Sequence, residues 1–198
     1  MKKHAPATLR NREAILAILR EELPGSGTVL EVAAGSGEHA VFFAQALPDH
    51  HWLPSDPSAE ALASIAAYRA EADLPNCAAP IILDASASDW PVEEADAIVC
   101  INMVHISPWA ATCGLFAGAA QILRGKDLPL IVYGPYFGQG AEPAPSNLQF
   151  DESLKARNPD WGIRQVEDMD TLAQAHGFTR TARHAMPANN LTLVYRAL

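Results

Sequence analysis

Three acidic side chains in the first half of the sequence stand where short apolar runs end. Glu31 closes the first run, Asp56 the second and Asp84 the third. A carboxylate accepts hydrogen bonds and attracts positive charge, so three of them at one place would suit a ligand rich in hydroxyl and amino groups. They come together only if the three runs are neighbouring strands of one sheet.

A glycine turn follows Glu31. The segment VLEVAAGSGEHAV (29–41) predicts a strand, then a turn with Gly35 and Gly37, then the start of a helix, and glycine permits the close backbone approach that a ligand needs. The spacing Gly35-x-Gly37-x-x-Ala40 also fits a dinucleotide fingerprint, whose pyrophosphate requires a free helix N-terminus. Glu31 would repel pyrophosphate and attract an ammonium group. Because S-adenosylmethionine carries an amino group and a sulfonium but no phosphate, the segment favours that cofactor.

The other two acids suit the same cofactor. Asp56 is expected to accept hydrogen bonds from both ribose hydroxyls. Asp84 is expected to accept from the adenine amino group, while Ala85 offers its backbone N–H. Each acid also has a purely structural interpretation, since Asp-Pro turns and helix caps are common. Their occurrence at three successive strand ends favours the ligand-binding interpretation.

The segment CINMVHISPW (100–109) ends a fourth apolar run and is the candidate reaction centre. Asn102 can form hydrogen bonds without placing charge beside the sulfonium, and Met103 follows it toward the methyl group. His105 is a candidate general base, because an ordinary histidine pKa of about 6.5 suits proton removal near neutrality. The alternative is a histidine that caps the following helix.

The methyl acceptor is expected beside this segment, between residues of other loops. The predicted acceptor residues are Met103, Tyr133, Tyr136, Asn189 and Asn190, with a loop over 134–147 acting as a mobile lid. No metal site is predicted, because the remaining histidines lack further ligands at metal-site spacing. The sequence also has no Gly-x-Ser-x-Gly turn, which argues against hydrolase chemistry.

The elements that must position these residues alternate between helices and short apolar strands. Helices are predicted near 9–23, 39–47, 58–72, 108–123, 151–157 and 166–176, and strands at 28–33, 51–53, 81–83, 95–101, 128–134, 179–186 and 191–196. This alternation predicts an α/β fold with a mostly parallel sheet and helices on both faces. Only residues 187–190 join the last two strands, which suits an antiparallel pair. Ligands of such sheets bind beyond the carboxyl ends of the strands.

The composition bounds the class of partner. With 198 residues, 49% of them hydrophobic, the chain can bury a sizeable core, and we expect a single domain over 1–198. The formal net charge of −9 disfavours nucleic acid and favours a small-molecule partner. The sequence shows no apolar run of membrane-spanning length and no signal peptide. Three cysteines without paired spacing suit a reducing compartment, so we expect a cytoplasmic protein.

Seven segments together resemble one protein family. The chain is similar to the methyltransferase-like protein 26 family, a group of class I methyltransferase-like proteins, over nearly its whole length. The matching segments are LRNREAIL (9–16), VLEVAAGSGEHA (29–40), WLPSDP (52–57), CINMVHISPW (100–109), YGPY (133–136), PSNLQFDESLKARNPDWGIR (145–164) and MPANNLTLVYR (186–196). The last four are specific to that family, whereas the glycine turn is shared by class I methyltransferases in general.

The resemblance implies a Rossmann-like class I methyltransferase fold, with a seven-stranded sheet whose last strand is antiparallel. The cofactor-contact positions it implies are Glu31, Gly35, Gly37, Asp56, Asp84 and Asn102. The chain departs from the family at Leu9, at Gln165 and within 183–185, where relatives carry acidic residues. These changes leave the cofactor positions intact and fall where the first helix and the last loop would contact the acceptor.

Two functions from different classes fit these observations. One is an S-adenosylmethionine-dependent methyltransferase with a small acceptor, in which positioning supplies much of the acceleration and a dedicated base is optional. The other is a non-catalytic sensor or interaction module that binds S-adenosylmethionine and presents 145–164 and 186–190 to a partner. A nicotinamide-dependent oxidoreductase fits less well, because Glu31, Asp84 and the helix before the first strand count against it.

Overall fold

The computed structural model describes residues 1–138 and 142–197. Its helices are α1 (Pro6–Glu22), α2 (Glu38–Ala46), α3 (Ala59–Ala72), α4 (Trp109–Leu123), α5 (Pro145–Arg157) and α6 (Val166–Ala175). Its strands are β1 (Gly27–Val32), β2 (His50–Asp56), β3 (Ile81–Ile82), β4 (Ala97–Ile101), β5 (Pro129–Phe137), β6 (Arg164–Gln165), β7 (Phe178–Met186) and β8 (Asn190–Ala197), with a 3-10 turn at Pro187–Asn189. Among the helices described, none is long and apolar enough to cross a membrane.

The strands form one sheet in the order β3-β2-β1-β4-β5-β8-β7. Strands β1 to β5 are parallel to one another, and β8 runs antiparallel to both β5 and β7. The prediction of a mostly parallel seven-stranded sheet with an antiparallel last strand is therefore confirmed. The short strand β6, which pairs with the end of β5, was not predicted. Its two residues are too few to show a periodic pattern.

The sheet is covered on both faces because its central strands are apolar on both sides. Val29 and Val99 pack in the core under α1 and α2. Their neighbours Leu30 and Ile98 pack in the core under α4 and α6. This alternation follows from the two-residue period of a strand. Because strands β1 to β5 run parallel to one another, their carboxyl ends lie at one edge of the sheet.

The predicted loop over 134–147 is wrong at both ends. Strand β5 continues to Phe137, and Gly134 and Pro135 pair with Leu191 and Asn190 of β8. Helix α5 begins at Pro145, since a proline in the first helical turn lacks only an N–H that has no partner there. Glycine and proline are typical of loops, but both residue types also fit the ends of helices and strands. Residues 139–141, which include Gly140, lie outside the described residues.

Candidate active site

Two adjoining cavities open at the carboxyl edge of the sheet, and Ile106 lines both. The first cavity, of about 480 Å³, lies between the ends of β1, β2 and β4 and the start of α4. Residues that line it include Ala33, Gly35, Asp56, Pro57, Asp84, Ala85, Ser86, Met103 and Ile106. The second cavity, of about 700 Å³, lies between α1, α5, the end of β5 and the 3-10 turn. Residues that line it include Arg10, Asn11, Asn102, His105, Ile106, Tyr133, Phe150, Arg157 and Asn190.

The glycine turn and Asp56 form one rigid wall of the first cavity. Gly35 has a left-handed backbone, with φ of +59°, and its N–H donates to Asp56 Oδ2 at 3.0 Å. The other carboxylate oxygen, Oδ1, accepts from Ser58 N–H at 2.9 Å. Asp56 is only 7% exposed, so its carboxylate has one fixed orientation at the cavity. Each oxygen still has a lone pair for a further donor.

Gly37 lies outside both cavities, although it was predicted to contact the cofactor. Its φ is +90°, and a Cβ at this position would stand 2.7 Å from Ile65 Cα. Helix α2 begins here, and glycine lets it start close against α3. The need for glycine at this position comes from helix packing.

Glu31 is buried behind the cavity wall. Its side chain is 1% exposed, and its Oε2 accepts from Trp52 Nε1 at 2.6 Å. Desolvation, opposed by the Trp52 hydrogen bond and reinforced by the charge of Asp56, raises the pKa of Glu31 to about 7. The carboxyl group therefore changes protonation near neutrality. The prediction of a direct contact with the cofactor's ammonium group does not fit this position, because Glu31 is buried and lies outside both cavities.

Asp84 and Ala85 lie on the opposite wall of the first cavity. Asp84 is exposed, and its Oδ1 accepts from the N–H and the hydroxyl of Ser86 at 2.8 and 2.7 Å. Ala85 is buried beside α4, where a Cβ on Gly114 would stand 2.0 Å from the carbonyl oxygen of Ala85. Helix α4 therefore approaches this loop only because Gly114 has no side chain. The importance of Gly114 was not predicted, since a glycine within a helix carries no specific signal.

The end of β4 separates the two cavities. Asn102 has a left-handed backbone with φ of +64°, which asparagine tolerates, and its N–H donates to the carbonyl of Tyr133 at 2.8 Å. Its side chain lines the second cavity, whereas Met103 lines the first. These positions are the reverse of the prediction, which assigned Asn102 to the cofactor and Met103 to the acceptor. The left-handed turn at Asn102 redirects the chain and so changes which cavity each side chain meets.

His105 lines the second cavity, and its role at a reaction centre stays a prediction. It is 4% exposed, and its ring meets Phe150 edge-on with centroids 5.6 Å apart. Burial, followed by the charges of Arg164 and Arg157, lowers the pKa of His105 to about 4. The imidazole is therefore neutral at physiological pH, but a pKa this low makes it a weaker base than the ordinary histidine on which the prediction was based.

The two predicted tyrosines lie on opposite faces of the sheet. Tyr133 lines the second cavity and packs with the core under α1 and α2. Tyr136 packs with the core under α4 and α6, away from the second cavity, and its hydroxyl is buried without a hydrogen-bond partner among the described residues. Positions three apart on a strand point to opposite faces, so both could not border one site. Tyr136 instead lines a smaller cavity of about 280 Å³ that Asn189 and Asn190 also line, so only part of the predicted acceptor set borders the second cavity.

The two predicted asparagines share the smaller cavity of about 280 Å³, but only Asn190 also lines the second cavity. Asn190 lines the second cavity, and its amide donates to the carbonyl of Pro187 at 3.1 Å. Asn189 lies outside this cavity, with φ of +57°, and its carbonyl accepts from Asn147 at 3.1 Å. Asn189 therefore shapes the turn and ties it to α5.

Helix α1 contributes side chains to the second cavity that were not assigned from the sequence. Asn11 is buried, and its Oδ1 lies 2.9 Å from Nε2 of His39. Asn11 also hydrogen-bonds the side chain of Tyr133, so that α1, α2 and β5 meet at one polar cluster. The signal in the sequence was a polar residue on the apolar face of α1, since Asn11 precedes Ile15 by one helical turn.

Comparison with solved structures identifies the fold. The mitomycin 7-O-methyltransferase MmcR superposes with a TM-score of 0.80 at 15% identity, over 97% of this chain and 54% of that one. An O-methyltransferase family protein from Burkholderia thailandensis superposes with a TM-score of 0.80 at 11% identity, over 96% of this chain and 57% of that one. The S-adenosylmethionine-dependent methyltransferase SibL superposes with a TM-score of 0.76 at 19% identity, over 96% of this chain and 55% of that one. The chain thus has the class I methyltransferase fold and spans about half the length of these proteins.

The family is shown by a match over the length of the sequence. The family model covers residues 2–197. The narrower resemblance to the methyltransferase-like protein 26 family stays a prediction. The chain belongs to the family described as "Protein of unknown function (DUF938)".

Proposed function

We propose that this protein is an S-adenosylmethionine-dependent methyltransferase that acts on a small-molecule acceptor. The observation that carries the proposal is the pair of cavities that meet at Ile106, one bounded by Asp56 and Asp84 and the other containing His105. A transfer between two molecules needs two such sites in contact. The neighbouring solved structures support it, because their names describe methyltransferases.

The chemistry of the first cavity fits the cofactor. Asp56 and Asp84 supply hydrogen-bond acceptors for hydroxyl and amino groups, and Pro57, Met103 and Ile106 supply apolar contacts. Among the described residues that line it, none is lysine or arginine. A pyrophosphate would meet two carboxylates there without a compensating cation, so a nicotinamide dinucleotide fits poorly. S-adenosylmethionine supplies a methyl group already activated by its sulfonium.

The residues of the second cavity hold and orient the acceptor. His105 is neutral and buried, and its ring nitrogens can hydrogen-bond the acceptor and orient it without adding charge. Asn102 and Asn190 offer amide groups that fix orientation without adding charge. Positioning of two bound molecules accounts for much of the acceleration in such reactions, about 7–11 kcal/mol in favourable cases.

Binding of the cofactor is tested by calorimetry. The wild-type protein should bind S-adenosylmethionine and S-adenosylhomocysteine but not NAD. Asp56→Ala should weaken binding by about 1.5–3 kcal/mol, the range for hydrogen bonds to a charged group. Asp89→Asn, at an exposed position outside both cavities, is the control and should bind normally. Binding of NAD alone, or an unchanged affinity in folded Asp56→Ala, contradicts the assignment.

Turnover is tested separately. The protein is incubated with S-adenosylmethionine labelled in its methyl group and with a metabolite extract, and labelled products are sought by mass spectrometry. A labelled small molecule that is absent when His105→Ala replaces the wild type supports the enzyme. Cofactor binding without any labelled product favours the non-catalytic binding module.

A further inference from the structure

The second cavity is positively charged although the chain as a whole carries a formal net charge of −9. Its charged lining residues are Arg10 of α1 and Arg157 at the end of α5. Among the described residues that line it, none is aspartate or glutamate. Two cations without an anion around one cavity create a local positive potential, which favours a negatively charged ligand even in an acidic protein.

Neither arginine is neutralised by the protein. Within residues 1–138 and 142–197, no carboxylate forms an ion pair with Arg10 or Arg157. Arg157 instead lies over the ring of Trp161, 5.4 Å from its centroid, a cation–π contact that positions the guanidinium without neutralising its charge. Asp151, an acid of α5, is bound by Lys155 and by the backbone N–H of Ile163.

Part of the remaining wall of the cavity is apolar, beside the amide groups of Asn102 and Asn190. Ile106 and Phe150 both line it and are 41% and 38% exposed, which is unusual for large apolar side chains. Pro135 and Pro187 extend this surface. The cavity therefore offers an apolar surface with cations beside it, and the charge of Arg157 is one of the causes that lower the pKa of His105 on its wall.

We propose that the second cavity takes a small organic anion with an aromatic or apolar body, and that Arg10 and Arg157 bind its carboxylate or phosphate group. This inference rests on the proposed function in taking that anion to be the methyl acceptor. Guanidinium groups suit both headgroups, because their planar array of donors matches two oxygens at once. The apolar body lies against Ile106 and Phe150, with His105 beside it.

The test measures binding of three probes that share one ring: benzoate, phenyl phosphate and the neutral isostere benzamide. Each is titrated into the wild-type protein with and without saturating S-adenosylhomocysteine, and protein NMR shifts or calorimetry give the affinity. Benzoate or phenyl phosphate should bind about tenfold or more tightly than benzamide, as expected for a charge-assisted hydrogen bond. The stronger of the two anions identifies the headgroup.

Variants assign the preference to the arginines. Arg10→Gln and Arg157→Gln should each weaken anion binding about tenfold and leave benzamide unchanged. Arg124→Gln removes an exposed cation at the end of α4, outside both cavities, and should behave as the wild type. All four proteins should bind S-adenosylhomocysteine equally.

The outcomes separate this inference from the proposed function. If benzamide binds as well as both anions, or if the anion preference survives the double Arg10→Gln/Arg157→Gln variant, the inference is wrong whatever the cofactor does. If S-adenosylhomocysteine fails to bind while the arginine-dependent preference is seen, the anion site stands and the methyltransferase proposal fails.

Discussion

Replacement of Gly37 by alanine separates the packing role of the glycine turn from its ligand-binding role. At φ of +90°, a Cβ would stand 2.7 Å from Ile65 Cα, a backbone atom that cannot rotate away. The left-handed conformation costs a residue with a side chain about 1–2 kcal/mol, and overpacking adds about 1–3 kcal/mol. We therefore expect Gly37→Ala to lower the free energy of unfolding by about 2–5 kcal/mol.

Gly35 provides the matched comparison within the same turn. Its φ is +59°, but a Cβ there would meet no atom within 4 Å, because it would point into open space. Gly35→Ala should therefore lower the free energy of unfolding by only about 1–2 kcal/mol. Gly35 lines the first cavity and Gly37 does not. Gly35→Ala should accordingly reduce affinity for S-adenosylhomocysteine more than Gly37→Ala does.

Urea unfolding followed by fluorescence measures the first effect, and calorimetry with S-adenosylhomocysteine measures the second. Gly177→Ala is the control for backbone strain alone, since Gly177 has φ of +80° and open space around it. If Gly37→Ala is as stable as Gly177→Ala, the clash with Ile65 does not exist. If Gly35→Ala is the less stable of the two turn variants, the reasoning about the turn is refuted.

Two further predictions concern titratable groups. Folded Glu31 has a pKa of about 7 against an ordinary 4.5, so the folded protein binds more protons and loses stability as pH rises from about 4.5 to 7. Glu31→Gln keeps a hydrogen-bond acceptor for Trp52 but cannot titrate. It should therefore remove this pH dependence of the free energy of unfolding, which amounts to about 3 kcal/mol and is measured by urea unfolding at several pH values. His105→Ala and Asn190→Ala should leave S-adenosylhomocysteine affinity unchanged by calorimetry and lower methyl transfer from labelled S-adenosylmethionine.

Each of these has an outcome that contradicts it. A wild-type protein whose stability is flat between pH 4.5 and 7, or a Glu31→Gln variant with the same slope, means that burial does not shift this group. A tenfold loss of S-adenosylhomocysteine affinity in His105→Ala, about 1.4 kcal/mol, would place the histidine in the cofactor site.

The sheet was predictable because its signals are local and repeated. Each parallel strand is a short apolar run, and the two-residue period then decides which face each side chain meets. The acids Asp56 and Asp84 were located by the same reasoning, since strand ends of a parallel sheet share one edge. Strand β6 and the full lengths of β5 and α5 escaped prediction because Gly134, Pro135 and Pro145 carry the residue types of loops.

The errors within the candidate site arose where one backbone angle decides the outcome. Asn102 and Met103 exchange cavities because of the left-handed turn at Asn102, and no pattern of residue types reports that angle. Glu31 was assigned to a ligand because its partner Trp52 lies on another strand. The contribution of α1 depends on how a helix docks across the sheet, a long-range contact that composition does not encode.

The contact of the two cavities at Ile106 has a consequence for inhibitor design. A single molecule that joins an adenosine moiety to an organic acid would pass this side chain and occupy both sites. Once one half is bound, the other binds intramolecularly, at an effective concentration that a short linker raises to the millimolar range. Such a compound would reach an avidity about 10²–10⁴ above either half, and a linker too short to pass Ile106 would lose the gain entirely.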